Sequence, residues 1–264
     1  MDQKSAWMAY VQRLHAAGFA IIQEADRMTV GADVRDPKVL ALSLLCRTLS
    51  NMNGATVMIE AGLIVEARTL TRCCFENFLW IAELANKGAE FVKQMVEDEV
   101  VSQQGRGKML LSWSERLEEA VSYETKLRDS LERMKAKYPK SKPIKYGELG
   151  KRHGVGDSYM WLRLLSSDSA HPSLTALARY IVRQPDNVLK LVVVPVPTTI
   201  EEESTLQFAC QAVLGVCVAT CQICTVPKAY EALSPLLDEF IELAKISMNR
   251  GGIEQPAAPS KSPE

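Results

Sequence analysis

The chain has 264 residues, 47% of them apolar and 24% charged, with a formal net charge of −1. That length is enough to bury one large core, and a near-neutral chain exerts no global field toward nucleic acid or an anionic membrane. Charge is uneven locally: residues 104–153 hold thirteen Lys/Arg against seven Asp/Glu, and residues 196–264 hold four against nine.

Helical periodicity dominates. Trp7, Val11, Leu14, Phe19 and Ile22 recur at spacings of three to five and predict a first helix ending near Gly31. Asp36-Pro37 is a helix start, a carboxylate N-cap followed by proline in the first turn. It opens a helix to about Gly62 with Leu42, Leu45, Leu49 and Met52 inward. A turn at AGLIV then leads to a third helix, Glu66 to Asn86, which the short connection makes antiparallel to the second. Further helices are expected over Ala89–Gln104 and from Lys108 to Lys137, the latter laced with i,i+3 and i,i+4 charge pairs. KYPKSKPIKYG reads as a loop. Helices follow at GELGKRH, from Asp157 to Ser169, and from Pro172 to Arg183. KLVVVPVPTT is the one strand-like run, confined by its prolines to an edge. Two last helices, Ile200–Thr225 and Lys228–Asn249, precede a tail over 250–264 expected to be disordered. The sum is an all-α domain over 1–249, a bundle of eight to nine helices with at most one short strand-like segment.

The most apolar window, FACQAVLGVCVATCQICTVP, is just long enough to span a bilayer, but its small residues suit a buried packing helix. The charged N-terminus lacks the apolar core of a signal peptide. Seven cysteines, an odd number without scaffold spacing, point to a reducing cytoplasm. Cys210, Cys217, Cys221 and Cys224 form one helical stripe of about 20 Å, too long for a single tetrahedral metal site, so no metal and no cofactor is expected.

Three polar constellations interrupt the apolar pattern. In EARTLTRCCFENFLWIAEL, Arg68, Arg72 and Glu76 fall at i, i+4 and i+8. A half-buried Arg–Glu pair there is either a helix clamp or an anion site, whereas an exposed pair would contribute only about 0.3–0.5 kcal/mol. On the preceding helix Arg47, Asn51 and Gly54 form a second polar line that could face the first, and a mid-helix glycine at 54 marks close packing. In LSSDSAHPS, Ser167, Asp168 and His171 are spaced so that Asp168 could orient the imidazole for general acid–base work. The same hydroxyls could instead cap the helix after Pro172, leaving His171 as the residue capping does not explain.

These two segments together resemble the bacterial domain-of-unknown-function 5677 family. NGATVMIEAGLIVEARTLTRCCFENFLWIAEL supplies Glu66, Ala67, Arg68, Arg72 and Glu76, and LSSDSAHPS supplies Ser166 or Ser167 and His171. The resemblance covers residues 40–185 and implies a helical fold, with no established activity. A looser likeness is to HEPN-type helical bundles, many of them ribonucleases in toxin or phage-defence systems, whose motif is an arginine, four to six intervening residues, then a histidine. Here Arg163 lies seven intervening residues before His171, a departure from that pattern.

The resulting expectation is a cytoplasmic protein with a polar site. His171, Arg72 and Glu76 are the catalytic candidates, and Arg68, Asn51, Ser167 and Asp168 the ligand contacts. The partner would be RNA or a nucleotide, with cleavage in a defence or stress role, and no membrane. The alternative is a non-catalytic interaction module, a homo-oligomer in which the same residues only staple helices together.

Overall fold

The computed structural model describes residues 2–114, 121–152 and 156–251. Ten α-helices and one two-stranded hairpin occur among them: α1 (Gln3–Ala25), α2 (Pro37–Glu60), α3 (Ile64–Lys87), α4 (Ala89–Ser114), α5 (Val121–Lys137), α6 (Tyr146–Gly150), α7 (Gly156–Leu165), α8 (Leu174–Ala178), β1 (Ile181–Arg183), β2 (Leu189–Leu191), α9 (Thr199–Cys224) and α10 (Pro227–Gly251). The protein is all-α, as its periodicity implies.

The centre of the bundle is α9, the apolar window of the sequence, packed against α1, α2, α3 and α10. By length and composition α9 could cross a membrane, but 61% of its apolar window is buried inside the bundle. It begins with a capping box, in which Thr198 accepts from the Glu201 amide and Glu201 accepts from the Thr198 amide. Small residues let its neighbours close in. A Cβ on Gly215 would fall 2.3 Å from the Phe78 ring, and one on Gly18 would fall 2.7 Å from Leu49. α10 is tied back to α1 by Gln3 Nε2 donating to Leu243 O (3.0 Å) and the buried Tyr10 hydroxyl donating to Leu236 O (2.9 Å).

The α2–α3 hairpin forms as its sequence suggests. Asp36 accepts from the Lys38 amide to cap α2, and Gly62, at φ +74°, makes the turn. A Cβ on Gly54 would stand 3.0 Å from Leu70, so that glycine does mark close packing. Asn77 donates to Thr48 Oγ1 at 3.0 Å and fixes the register of the two helices. At the far end of α3 the buried Glu83 carboxylate pairs with Lys87 (2.7 Å) and Arg152 (2.8 Å).

Several expectations need correction. The first helix stops at Ala25 and continues only as a 3₁₀ turn through Thr29. No break separates residues 104 and 108: α4 runs on to Ser114, and Gly107 serves packing, a Cβ there falling 2.7 Å from Leu131 of α5. The middle of the expected 108–137 helix, and the tail beyond residue 251, lie outside the described residues. The helix from Asp157 ends at Leu165 and becomes a π-helical turn over Ser166–Ala170. The helix expected over 172–183 is only the five residues of α8. The β-branched Ile181 and Val182 instead enter β1, which turns through QPDN into β2, so two short strands occur among the described residues where at most one was expected. The helical bundle itself is as expected, with ten α-helices among the described residues against about eight to nine.

Candidate functional site

The π turn organises the polar centre. The Ser166 and Ser169 hydroxyls donate to the carbonyls of Leu162 and Leu165, each 2.7 Å away and four residues back. That competes with the regular helical ladder. The His171 amide then bonds Ser166 O at 3.1 Å, the i−5 bond of a widened turn. Pro172 holds His171 in extended backbone, and Ser173 caps α8 by accepting from the Ala176 amide at 3.1 Å.

The widened turn presents two side chains to α3. The Ser166 hydroxyl accepts from Arg72 Nε at 2.7 Å, while Arg72 Nη2 donates to Glu76 at 2.5 Å. Asp168 forms an ion pair with Arg68 and another with Arg179 at 2.7 Å, and Arg179 reaches Glu201 on α9 at 2.5 Å. Arg68 also donates to Thr205 of α9 at 3.4 Å. Cation and carboxylate therefore alternate, Arg68–Asp168–Arg179–Glu201, and link α3, the π turn, α8 and α9. Burial pulls the Arg68 guanidinium below its ordinary pKa, against the support of Asp168. Burial also opposes charge on Arg179, but its hydrogen bonds to Asp168 and Glu201 outweigh that and raise its pKa.

Of the candidate residues, Arg68 and Asp168 thus belong to a charge-balanced clamp, and Arg72 and Glu76 form a half-buried pair closed by Ser166. Both carboxylate contacts of Asp168 go to arginines. The His171 side chain is exposed and has no hydrogen bond or ion pair among the described residues. Ser167 is exposed, and its carbonyl accepts from the Ser173 hydroxyl at 2.6 Å.

Beside the Arg72–Glu76 pair lies a cavity of about 250 Å³ between α2, α3, α4 and Tyr146. Arg47, Ser43, Glu76, Asn77, Trp80 and Tyr146 supply its polar wall, and Leu40, Leu44 and Met95 its apolar one. Leu40 and Met95 also border a second cavity of about 550 Å³ between α2, α4 and α5. Burial, then the nearby Glu76 carboxylate, raises the Tyr146 phenol pKa. Arg47 has no acidic partner among the described residues. One turn along α2, the side-chain amide nitrogen of Asn51 is buried and has no hydrogen-bond partner among them either. An unmade bond of that kind costs about 1–3 kcal/mol.

Sequence reasoning expected a polar seam of Arg47, Asn51, Gly54, Arg72 and Glu76; of these Arg47 and Glu76 line the cavity, and Gly54 packs near Leu70. It missed Arg179, Glu201, Thr205, Trp80 and Tyr146. EEES at the head of α9 was a visible signal for Glu201, whereas nothing local marks Tyr146. All seven cysteines are free, and no cluster of metal-ligating side chains occurs among the described residues.

Fold and site together define an all-α bundle with an internal arginine–carboxylate clamp beside a small polar cavity. The sequence pattern of a family of unknown function, DUF5677, matches residues 38–188, more than half of the chain, and the protein belongs to that family. The match spans α2 through the β-hairpin turn and includes the polar cavity; α1, α9 and α10 lie outside it. Comparison with curated proteins and with solved structures finds no match, and the HEPN-type likeness finds no support there.

Proposed function

We propose that the domain binds a small anionic ligand of the nucleotide class in the cavity walled by Arg47, Glu76, Trp80 and Tyr146. The observation that carries this reading is Arg47, the one cation of the cavity wall, which has no acidic partner among the described residues while Arg72 neutralises Glu76. Trp80 and Tyr146 offer aromatic faces to a base. At 250 Å³ the cavity would hold about eight waters at ~30 Å³ each, room for a phosphate with part of a nucleoside. The disulfide-free cysteines are in keeping with work in a reducing cytoplasm.

Titration calorimetry with adenosine 5′-monophosphate and with inorganic phosphate tests the reading. Saturable binding to the wild type, weakened at least about tenfold in Arg47→Ala by loss of a charge-assisted hydrogen bond, supports it. Equal binding by the two proteins, or none by either, overturns it.

A nucleolytic version assigns proton transfer to His171. It is favoured by one observation: the turn that carries this exposed imidazole also carries Ser166, the hydrogen-bond partner of Arg72. Under that version RNA is cleaved by the wild type and not by a folded His171→Ala variant, in a defence or stress setting.

A further inference from the structure

The cavity of about 550 Å³ between α2, α4 and α5 plays no part in the Arg47 reading. One face of α4 supplies its floor, with Val92, Met95, Val96 and Val100 at i, i+3, i+4 and i+8. Val92 and Val100 are buried, and Leu40 of α2 and Met134 of α5 complete the apolar wall. Two ties fix α5 and the chain after it against α4. Gly107 packs on Leu131, and the Ile144 amide donates to Asp98 Oδ1 at 2.8 Å.

The rim is cationic. Arg35, Arg133 and Lys137 line the cavity, and none of them pairs with a carboxylate among the described residues. The carboxylate of the lining, Glu99, already accepts from Gln103 at 2.8 Å and from Arg106 at 2.9 Å, both on α4. Arg133 and Lys137 stand one turn apart on α5, a like-charge i,i+4 pair that is unfavourable by itself. The Lys137 ammonium lies over the Tyr138 ring, 5.4 Å from its centroid, beside the same cavity. An anion between the two cations relieves their repulsion.

We infer that this cavity binds a linear fatty carboxylate of about ten carbons, its chain along the α4 floor and its head between Arg133 and Lys137. The volume equals about eighteen waters at ~30 Å³ each, within the ~300–1,000 Å³ of small-molecule sites. The wall from Val92 to Gln103 runs about 16 Å along α4, long enough for such a chain extended. The floor disfavours a nucleotide here, because its ribose hydroxyls would meet valine and methionine side chains and lose their hydrogen bonds to water. The three cations disfavour a neutral hydrocarbon. An aliphatic chain ending in one anion satisfies both. The site shares Leu40 and Met95 with the Arg47 cavity but none of its charged groups, so the inference does not rest on the nucleotide reading.

Isothermal titration of sodium decanoate into the full chain tests the inference, with octanoate, butyrate and decanol as companions. Saturable binding of decanoate at one site per chain is expected. Octanoate should bind at least about tenfold more weakly, since each buried methylene is worth about fourfold. The double variant Arg133→Ala, Lys137→Ala changes two exposed side chains and should keep wild-type helical circular dichroism while losing at least about tenfold in affinity. Arg47→Ala should bind decanoate as the wild type does. The inference is overturned by an absence of saturable binding, or by a double variant that binds decanoate as tightly as wild type. Butyrate or decanol matching decanoate overturns it as well, as does binding to phosphatidylglycerol vesicles alone. Loss of decanoate binding in Arg47→Ala would seat the chain in the other cavity and overturn it too.

Discussion

The Arg72 guanidinium donates to the Ser166 hydroxyl at 2.7 Å across 94 residues of chain, joining the middle of α3 to the first residue of the π turn. The same hydroxyl donates to Leu162 O, so one oxygen shapes the turn and holds the arginine against Glu76. Replacing Ser166 with alanine leaves a half-buried guanidinium donor unmet. The expected cost is about 1–3 kcal/mol, read as a lower urea midpoint with an unchanged m-value.

Asp168 stands between two arginines, one of them buried. Asp168→Ala strands Arg68 in a low-dielectric position and should destabilise the fold by about 3–5 kcal/mol. If the clamp acts through charge balance, the double variant Arg68→Met, Asp168→Leu recovers most of that loss. A double variant no more stable than Asp168→Ala, measured by the same urea melt, would contradict the clamp.

Cys74, Cys210 and Cys217 are fully buried, and desolvation raises their thiol pKa values above the ordinary one. Folding then holds these protons while the unfolded chain releases them near pH 8.5–9. The stabilisation is complete below the unfolded pKa and declines as pH rises past it. Each thiol should remove up to about 1.4 kcal/mol per pH unit above that point. Urea melts at pH 8 and pH 10 under reducing conditions should show the loss, and Cys210→Ala should shrink it.

Gly215 of α9 sits against Phe78, with a would-be Cβ only 2.3 Å from the ring. The ring must shift to admit a methyl, so Gly215→Ala should cost about 1–3 kcal/mol despite alanine's better helix propensity. Thermal unfolding followed by circular dichroism checks the sign.

What could be read in advance was local. Asp36-Pro37 opens α2, AGL closes the hairpin, and the i,i+4 spacing of Arg72 and Glu76 becomes a real pair. Apolar periodicity located α9 because a buried helix needs no partner identity to be recognised. Partner choice was not legible. Asp168 lies three residues from His171, yet its oxygens go to Arg68 and Arg179, because the π turn rotates the side chain toward α3. That turn depends on serine back-bonding, a competition of about a kcal/mol that spacing does not reveal. The hairpin was hidden by treating Pro172–Arg183 as one helical run, although QPDN, with Asn187 at φ +66°, carries turn chemistry. Trp80 and Tyr146 meet at the cavity only after α6 docks on α3.

The central claim, a ligand seated at Arg47, is tested most directly by titrating adenosine 5′-monophosphate into ¹⁵N-labelled protein and watching the four tryptophan indole signals. Trp80 lines the cavity, whereas Trp7 lies in the α1–α10 core and Trp161 against Phe208. The account predicts that the Trp80 indole moves saturably, the other three stay within error, and Arg47→Ala abolishes the shift. Saturable shifts confined to residues around Ser167 and His171, with Trp80 unmoved, would contradict it.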